Sequence, residues 1–184
     1  SRTAIVGETG AGKSTFIRLM LALLRPVGGS VKLYNASTEA EASPNTRCNL
    51  VYVPQGNSLF SGTIRENLLM GDPEASDERM WAALEMAAAD FVHGLHDGLD
   101  TVCGEGGTGL SEGQAQRIAI ARGLLRPGNI LLLDEFSSSL DPETEARLME
   151  NLTKNAAGKT MIFITHREKI SEYCDRSCRI HRLG

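Results

Sequence analysis

The chain has 184 residues, a formal net charge of −4 and a hydrophobic content of 41%. This length allows one domain with a hydrophobic core and argues against two independent domains. The mild acidity argues against extensive nucleic-acid binding, which needs an excess of positive charge. The longest unbroken apolar run, Leu19–Leu24, is much shorter than the roughly 20 residues of a membrane-spanning helix. Any anion must therefore be bound by a local site, and this sequence is not expected to cross a membrane.

The first unit of the chain is predicted to be a strand, a glycine-rich turn and a helix. The strand covers Thr3–Val6, and the helix ends before Pro26. Between them, "GETGAGKS" (Gly7–Ser14) fits the phosphate-loop pattern, in which glycines let backbone N–H groups approach phosphates. In that pattern Lys13 reaches the β and γ phosphates, and Ser14 offers a hydroxyl to magnesium. The alternative is a glycine turn with an exposed lysine.

In the next part of the chain, the composition and the predicted secondary structure change twice. "GGSVKLY" predicts a turn and a short strand, and the polar segment Ala36–Asn49 is predicted to be a loop, the part of the chain most prone to disorder. "NLVYVPQ" predicts a strand that Pro54 closes, so Gln55 lies at the carboxyl end of a strand. The region that follows carries helical spacing, with Ser76 as the expected N-cap of one helix.

An alternation of helices and strands then resumes. Ser111 and Gln114 form a capping-box pattern, "NILLLDE" predicts a strand, Asp141 opens another helix, and "TMIFITH" predicts a final strand. This alternation predicts a mostly parallel sheet that helices cover on both faces. We predict one domain, in which a helical subdomain, residues 57–110, is inserted into an α/β core, residues 1–56 and 111–184.

Acidic and imidazole side chains follow two of the predicted strands. "ILLLDE" places Asp134 and Glu135 at the end of an apolar run, and His166 follows "IFIT". Open parallel sheets bind ligands at the carboxyl ends of their strands. Beside a phosphate loop, Asp134 is expected to hold magnesium through water, and Glu135 to polarise the water that attacks the γ phosphate. Without the phosphate loop, such residues would more often form a solvated turn and a structural histidine.

The stretch "GLSEGQ" (Gly109–Gln114) raises the question of a second anion site. A helix amino terminus with free N–H groups and a positive dipole end can bind an anion. Because Lys13 and its loop already provide a phosphate site, the ligand of this second helix end could be the nucleotide of a second copy. The simpler alternative is a well-capped helix start.

Together these motifs resemble the nucleotide-binding domain of ATP-binding cassette (ABC) transporters, over nearly the whole chain and in the order of that family. "GETGAGKST" is similar to the Walker A loop, "VPQ" with Gln55 to the Q-loop, and "LSEGQ" to the signature motif. "ILLLDE" resembles the Walker B motif with its catalytic glutamate, "SSLD" (Ser138–Asp141) the D-loop, and His166 the switch histidine. The resemblance implies an α/β P-loop NTPase (RecA-like) fold.

The resemblance also implies ATP and Mg²⁺ as ligands. It implies that the catalytic residues are Glu135, His166 and Lys13, and that the magnesium ligands are Ser14, Gln55 and Asp134. The residues expected to bind nucleotide are Gly7, Glu8, Thr9, Gly10, Ala11, Gly12, Lys13, Ser14, Thr15, Gln55, Ser111, Gly113, Gln114 and Asp134. Two cassettes, identical or homologous, are expected to pair head to tail, with each ATP between the Walker A loop of one and the signature motif of the other.

Two longer segments, Leu59–Gly71 and Gly98–Gln114, resemble the exporter branch of the family. The membrane domains of that branch are usually fused to the amino-terminal side of the cassette. The resemblance implies the motor domain of an exporter, with transmembrane domains on the same polypeptide and a place at the cytoplasmic face of the cell (inner) membrane. No nucleic acid is expected as a partner.

Two departures from the family pattern are visible. Glu112 replaces the commoner glycine of the signature motif. A carboxylate aimed at the γ phosphate would repel it, whereas one turned outward on the first helical turn is favoured by about 0.3–1 kcal/mol. We therefore expect an outward side chain and an active site. The amino-terminal antiparallel β subdomain, with its adenine-stacking aromatic residue, is missing from these residues, which suggests a fragment of a longer chain.

Two other functions are considered. A regulatory cassette would bind ATP without turnover; Glu112 favours it, whereas the intact Lys13, Glu135 and His166 do not. A non-transport ABC ATPase that acts on nucleic acid would be expected to carry a coiled-coil insertion or basic segments, and the sequence has neither.

Overall fold

The computed structural model describes residues 1–104, 109–155 and 158–181. Its strands are β1 (Arg2–Val6), β2 (Lys32–Tyr34), β3 (Glu39–Glu41), β4 (Leu50–Val53), β5 (Gly62–Thr63), β6 (Val102–Cys103), β7 (Ile130–Asp134), β8 (Thr160–Thr165) and β9 (Arg176–Arg179). Its α-helices are α1 (Lys13–Met20), α2 (Ile64–Leu69), α3 (Asp77–Met86), α4 (Glu112–Leu125) and α5 (Pro142–Asn155). Short 3₁₀ helices cover Pro44–Asn49, Asp90–Gly94, Gly98–Asp100 and Glu168–Tyr173.

A five-stranded sheet in the order β4–β7–β8–β1–β9 forms the centre of the fold. Every neighbouring pair of its strands runs parallel. Leu131, Leu132 and Leu133 in the middle of β7 are fully buried, as expected for a parallel strand that is covered on both faces. The predicted α/β fold with a mostly parallel sheet is confirmed. The residues after β1, β7 and β8 therefore meet along one edge of the sheet.

Helices cover both faces of this sheet. On one face, Ile17 of α1 packs against Ile5 and Ile164. On the other face, a larger buried cluster joins strands β4, β7 and β8 to helices α4 and α5, with Leu133 and Ile118 among its fully buried members. No α-helix formed by residues 1–104, 109–155 and 158–181 is both long and apolar enough to span a lipid bilayer.

The regular secondary structure described between β4 and α4 is mostly helical. It contains α2, α3, two 3₁₀ helices and the antiparallel β5–β6 pair. Ser76 caps α3, since its side chain accepts a hydrogen bond from the Arg79 backbone N–H, and this confirms the predicted cap. Leu68 and Leu84 belong to the same buried cluster as Leu133. The helical segment thus shares a core with the sheet, and its boundaries as a subdomain stay a prediction.

The prediction of an unstructured loop at Ala36–Asn49 is wrong. β3 pairs antiparallel with β2, and the Lys32 ammonium lies 2.6 Å from the Glu39 carboxylate across the pair. The Asn35 side chain accepts hydrogen bonds from the two backbone N–H groups of the turn, those of Ser37 and Thr38. Pairing of opposite charges and turn chemistry order a segment whose polarity alone suggested a loop.

The first helix ends earlier than predicted. α1 stops at Met20, and Ala22 has a left-handed backbone with φ of 51°. The Arg47 guanidinium donates hydrogen bonds to the carbonyls of Leu21 and Ala22, at 2.7 and 2.9 Å. Satisfying these carbonyls from outside the helix lets the chain turn before Pro26. The sequence between Met20 and Pro26 gave no local sign of this partner.

Candidate functional site

The phosphate loop connects β1 directly to α1. Gly10 and Gly12 have φ of 85° and 101°, a left-handed backbone that residues with a Cβ rarely adopt. Gly12 is the residue that precedes α1, so the free N–H groups of the first turn of α1 border the loop. A Cβ on Gly7 would lie 2.8 Å from the Ile180 carbonyl oxygen. The glycines therefore meet backbone requirements at three positions of this loop.

Lys13 is buried at the start of α1, with 8% of its surface exposed. Its ammonium donates to the Gly7 carbonyl at 2.5 Å and to the Glu8 carbonyl at 3.4 Å. It also lies 3.2 Å from Oε1 of Glu135. A buried ammonium needs such partners, because desolvation of an unpaired charge is costly. The lysine is thus not the exposed side chain of the alternative interpretation.

Glu135 connects the carboxyl ends of β7 and β8, the two strands that are followed by the predicted catalytic residues. Its backbone N–H donates to the Ile164 carbonyl at 2.8 Å, and its φ is 42°. Its Oε2 lies 2.8 Å from Nδ1 of His166, so one carboxylate contacts both Lys13 and His166. A left-handed backbone costs about 1–2 kcal/mol outside glycine, and such strain is frequent at functional sites.

Asp134 lies next to this cluster and bonds to a residue that the sequence did not single out. The Tyr52 hydroxyl lies 3.0 Å from Oδ2 of Asp134. Burial raises the pKa of Asp134, while the hydrogen bond from Tyr52 and the charge of Lys13 act against that rise. Burial, followed by the negative charge of Asp134, raises the pKa of Tyr52 to about 12. The phenol is therefore a neutral hydrogen-bond donor at physiological pH.

A cavity of about 650 Å³ opens over the phosphate loop. Its wall includes the loop residues from Gly7 to Ala11 and the side chain of His166. The remaining lining comes from Val6 at the end of β1, from Glu168 at the start of the 3₁₀ helix after β8, and from Arg179, Ile180 and His181 at the end of β9 and just after it. Glu168 and Arg179 form an ion pair. Sequence reasoning missed Arg179 and the two residues after it, because only the parallel pairing of β9 with β1 brings them to the loop.

The residues expected to bind magnesium fit that ion by chemical type. Ser14 and Gln55 are exposed, and Asp134 is partly exposed, so hydroxyl, amide and carboxylate oxygens are accessible. Mg²⁺ takes oxygen ligands and is commonly held by one or two carboxylates together with substrate phosphates. No group of three or more His, Cys, Asp or Glu side chains within the described residues could hold a metal alone.

The signature motif forms a separate region, which we call the signature end, Ser111–Gln114. The Gln114 backbone N–H donates to the Ser111 hydroxyl at 3.1 Å, and Gln114 Oε1 accepts from the Ser111 N–H at 2.9 Å. The predicted capping box is confirmed. Glu112 is exposed on the first turn of α4, as the outward side chain requires. Gly113 is buried, and a Cβ there would lie 2.8 Å from the Ser139 carbonyl oxygen.

The structure does not bring the signature end to the phosphate loop of the same chain. Within residues 1–104, 109–155 and 158–181, the hydrogen bonds and ion pairs of Lys13, Glu135 and His166 involve no residue of the signature end. Within the described residues, no hydrogen bond or ion pair joins Gln55 to the signature end either. Gln55 lies just after β4, next to Pro54, whose carbonyl accepts a hydrogen bond from the Gln116 side chain at 3.1 Å. Of the predicted catalytic residues, Glu135 contacts both Lys13 and His166.

A further ion pair links the residue after His166 to helix α5. Arg167, which follows His166, donates to the Glu145 carboxylate at 2.5 Å and to the Ser138 carbonyl at 3.4 Å. Glu145 is 7% exposed, and a carboxylate buried to this extent needs a partner such as this arginine. Sequence reasoning missed both residues, although an arginine beside a proposed catalytic histidine was a signal that could have been followed.

Known proteins share this arrangement of motifs. The sequence model of the ABC transporter family matches residues 1–138. A Rickettsia conorii protein named as an export ATP-binding/permease protein is 43% identical over 98% of this chain, and the Mycobactin import ATP-binding/permease protein IrtB of Mycolicibacterium thermoresistibile is 41% identical over 95%. The chain spans only 31% and 30% of these two relatives.

A solved structure of a bacterial Atm1-family ABC exporter with ATP bound is similar over the whole chain. The TM-score is 0.86 and the sequence identity 37%, and the match covers 33% of the exporter chain. A P-loop NTPase cassette fold is thereby confirmed. The chain therefore belongs to the ABC transporter family, and it is an ATP-binding domain of the exporter type.

Proposed function

We propose that this domain hydrolyses ATP and acts as the motor of a membrane transporter. The observation that carries the proposal is the contact of Glu135 with both Lys13, at 3.2 Å, and His166, at 2.8 Å. A carboxylate beside a phosphate loop can orient the attacking water and accept its proton. Glu135, His166 and Lys13 are the proposed catalytic residues.

Lys13 changes partners in this proposal. Its ammonium is held by the Gly7 carbonyl and by Oε1 of Glu135. The β and γ phosphates of ATP compete with Glu135 for the same ammonium, because phosphate oxygens are strong charged acceptors. When Lys13 turns to the phosphates, Oε1 of Glu135 becomes free to accept a hydrogen bond from water. Nucleotide binding would thus prepare the general base.

The ring nitrogen of His166 that carries a proton determines whether this residue can donate to a phosphate oxygen. Its Nδ1 contacts Glu135 Oε2, and a ring nitrogen that faces a carboxylate is the donor. In a neutral ring with a proton on Nδ1, Nε2 is an acceptor and cannot donate to a γ phosphate oxygen. His166 therefore contacts the phosphate either as the imidazolium or after Glu135 has released Nδ1.

The nucleotide would extend from the cavity lined by Gly7–Ala11 along the loop to Thr15, where backbone N–H groups would surround the phosphates. Asp134, Ser14 and Gln55 would hold Mg²⁺ together with phosphate oxygens. Bound Mg²⁺ neutralises part of the charge on the β and γ phosphate oxygens during phosphoryl transfer.

The exposed signature end would complete the ATP site of a second cassette. The Ser111 hydroxyl, Gly113, Gln114 and the amino terminus of α4 would form an anion site, and the hydrogen bonds of Ser111 and Gln114 among the described residues involve no residue of the phosphate loop. A second cassette, identical or homologous, is the partner that places a γ phosphate there. The exposed position of Glu112 supports an active rather than a degenerate signature.

The proposed context is a transporter with transmembrane domains on the same polypeptide, with the cassette at the cytoplasmic face of the cell (inner) membrane. Several relatives are ATP-binding/permease proteins of which this chain spans about a third, and this supports the proposal. Export is the proposed direction, since the similar solved structure is that of an exporter. The IrtB relative is named for import, so the direction of transport needs its own test.

The test is steady-state ATP hydrolysis against protein concentration in the full-length protein, for wild type and for Glu135→Gln. We expect turnover to rise with more than first-order dependence on protein concentration, if two polypeptides pair. We also expect Glu135→Gln to lose about 10²–10⁴ in rate, the range of general-base catalysis. Unchanged turnover in Glu135→Gln would remove the proposed role of Glu135. ATP binding without turnover at any concentration would favour a regulatory cassette or a different, obligate partner.

A further inference from the structure

Tyr52 and Asp134 lie on the same face of the sheet, on neighbouring strands. The register of β4 on β7 pairs Tyr52 with Leu132, so Asp134 is two residues further along β7. Because successive side chains alternate between faces, both side chains point away from the cluster that contains Val53 and Leu133. Diagonal neighbours at this separation are within reach of a long side chain. The register therefore explains why the Tyr52 hydroxyl reaches Oδ2 of Asp134, at 3.0 Å.

This face also carries the start of α1. Ile17 of α1 packs on it, and Lys13 at the first position of α1 contacts Glu135, the residue after Asp134. The Ser14 hydroxyl thus belongs to the same end of this face as the carboxylate of Asp134.

The carboxylate of Asp134 has one side-chain hydrogen-bond partner within the described parts of the chain, the hydroxyl of Tyr52 on Oδ2. Oδ1 carries no such bond there. An aspartate at a strand end can rotate about its last side-chain bond, whose torsion is broad. A hydrogen bond to Oδ2 narrows that rotation and keeps Oδ1 directed away from the phenol. The two oxygens therefore have different environments.

We propose that Tyr52 is a positioning residue for metal binding, whose hydroxyl fixes Asp134 so that Oδ1 can bind Mg²⁺ directly or through a water molecule. This inference rests on the proposed function, because it assumes that Asp134 serves Mg²⁺ bound with ATP. Tyr52 does not contact the metal itself. Partners that orient a metal ligand commonly change metal affinity by 10–100-fold when they are removed.

The experiment is a Mg²⁺ titration of the binding of a fluorescent, non-hydrolysable ATP analogue to the full-length protein. Wild type is compared with Tyr52→Phe, which removes only the hydroxyl. Tyr34→Phe is the matched control, since Tyr34 is 79% exposed on β2, which is not part of the central sheet. We expect the half-saturating Mg²⁺ concentration to rise about tenfold in Tyr52→Phe and to stay within about twofold in Tyr34→Phe.

Two further readouts separate positioning from a merely structural role. Binding of the analogue in EDTA and the thermal midpoint in EDTA should be equal in wild type and Tyr52→Phe. An unchanged Mg²⁺ midpoint in Tyr52→Phe would overturn the inference while leaving the proposed function intact. Equal weakening with and without Mg²⁺ would also overturn it, because Tyr52 would then act on nucleotide or fold. Wild-type binding that does not respond to Mg²⁺ would instead overturn the magnesium part of the proposed function, and this inference with it.

Discussion

The two regions that carry the nucleotide motifs are built differently. The phosphate-loop end, which comprises Gly7–Thr15, Asp134, Glu135 and His166, is a network in which the Glu135 carboxylate contacts both the buried Lys13 ammonium and the His166 ring. The signature end is a capped helix start whose polar bonds close on themselves, and its side chains at Ser111 and Glu112 are exposed.

The two regions differ in how their polar and charged groups find hydrogen-bonding partners. At the phosphate-loop end, removing Lys13 or Glu135 leaves the other without its charged partner, and both side chains have little water around them. At the signature end, the capping box already satisfies the helix start, and water reaches the rest. A helix start whose polar groups are already bonded within the motif, and which is open to solvent, can bind a ligand that a second molecule carries. Substitutions should therefore affect catalysis at the first region and mostly stability or pairing at the second.

The largest effect is expected for Lys13→Met at the phosphate-loop end. It removes the cation that contacts both the loop carbonyls and Glu135, while keeping much of the buried volume. Turnover at saturating ATP should fall by about 10²–10³, as for the loss of a single donor that stabilises transition-state charge. Lys154→Met is the matched control, since Lys154 is exposed and pairs with Glu150 on the surface of α5. Equal turnover in the two variants would show that Lys13 has no special role.

A smaller effect, on stability, is expected for Gly113→Ala at the signature end. The added Cβ would lie 2.8 Å from the Ser139 carbonyl oxygen and 3.0 Å from Leu140 Cδ2. Overpacking of this kind costs about 1–3 kcal/mol, measurable as a lower free energy of unfolding in urea. Gly94→Ala is the control, since no atom lies within 4 Å of the position of its Cβ. If Gly113→Ala were no less stable than Gly94→Ala, close packing would not be the reason for this glycine.

The smallest effect is expected for Glu112→Gly. Glu112 is exposed on the first turn of α4, where its charge favours the helix dipole by about 0.3–1 kcal/mol. The variant should lose about that much stability, and the ATP concentration that drives pairing of cassettes should change by less than about tenfold. Pairing can be followed by light scattering or by cross-linking of the full-length protein. Pairing that became tighter by about tenfold or more would show that Glu112 repels the nucleotide, contrary to the outward position.

Predictions from the sequence were correct where the residues that determine an element lie close together in the chain. The phosphate-loop pattern, the capping box of Ser111 and Gln114, and the apolar run that ends at Asp134 each lie within a few residues, and each forms the predicted element. A prediction failed where the partner was remote. Arg47 ends α1 from 25 or more residues away. The prediction for β3 failed for another reason, since β2 lies only a few residues earlier and the polar composition of the segment concealed a short hairpin.

The same distinction applies to the site residues. Glu135 and His166 were predictable because each follows an apolar strand, and parallel strands bring such positions to one edge. Tyr52 lies within the strand β4 and reads locally as an ordinary strand residue. Only the β4–β7 register makes it a neighbour of Asp134. Arg167 and Glu145 are likewise 22 residues apart and joined only by folding.

By itself, the sequence determined the family, the order of the motifs and the chemical type of the groups that meet phosphate, because these depend on short patterns and on the periodicity of apolar residues. The tertiary structure decided which of these groups contact one another. Strand order and register bring Lys13, Glu135 and His166 together, with Lys13 and Glu135 largely buried and His166 half-exposed, and the hydrogen bonds and ion pairs of these three residues within the described parts of the chain do not include the signature end. The physical reason is that contacts across a parallel sheet join residues far apart in the chain, and no local pattern encodes their register.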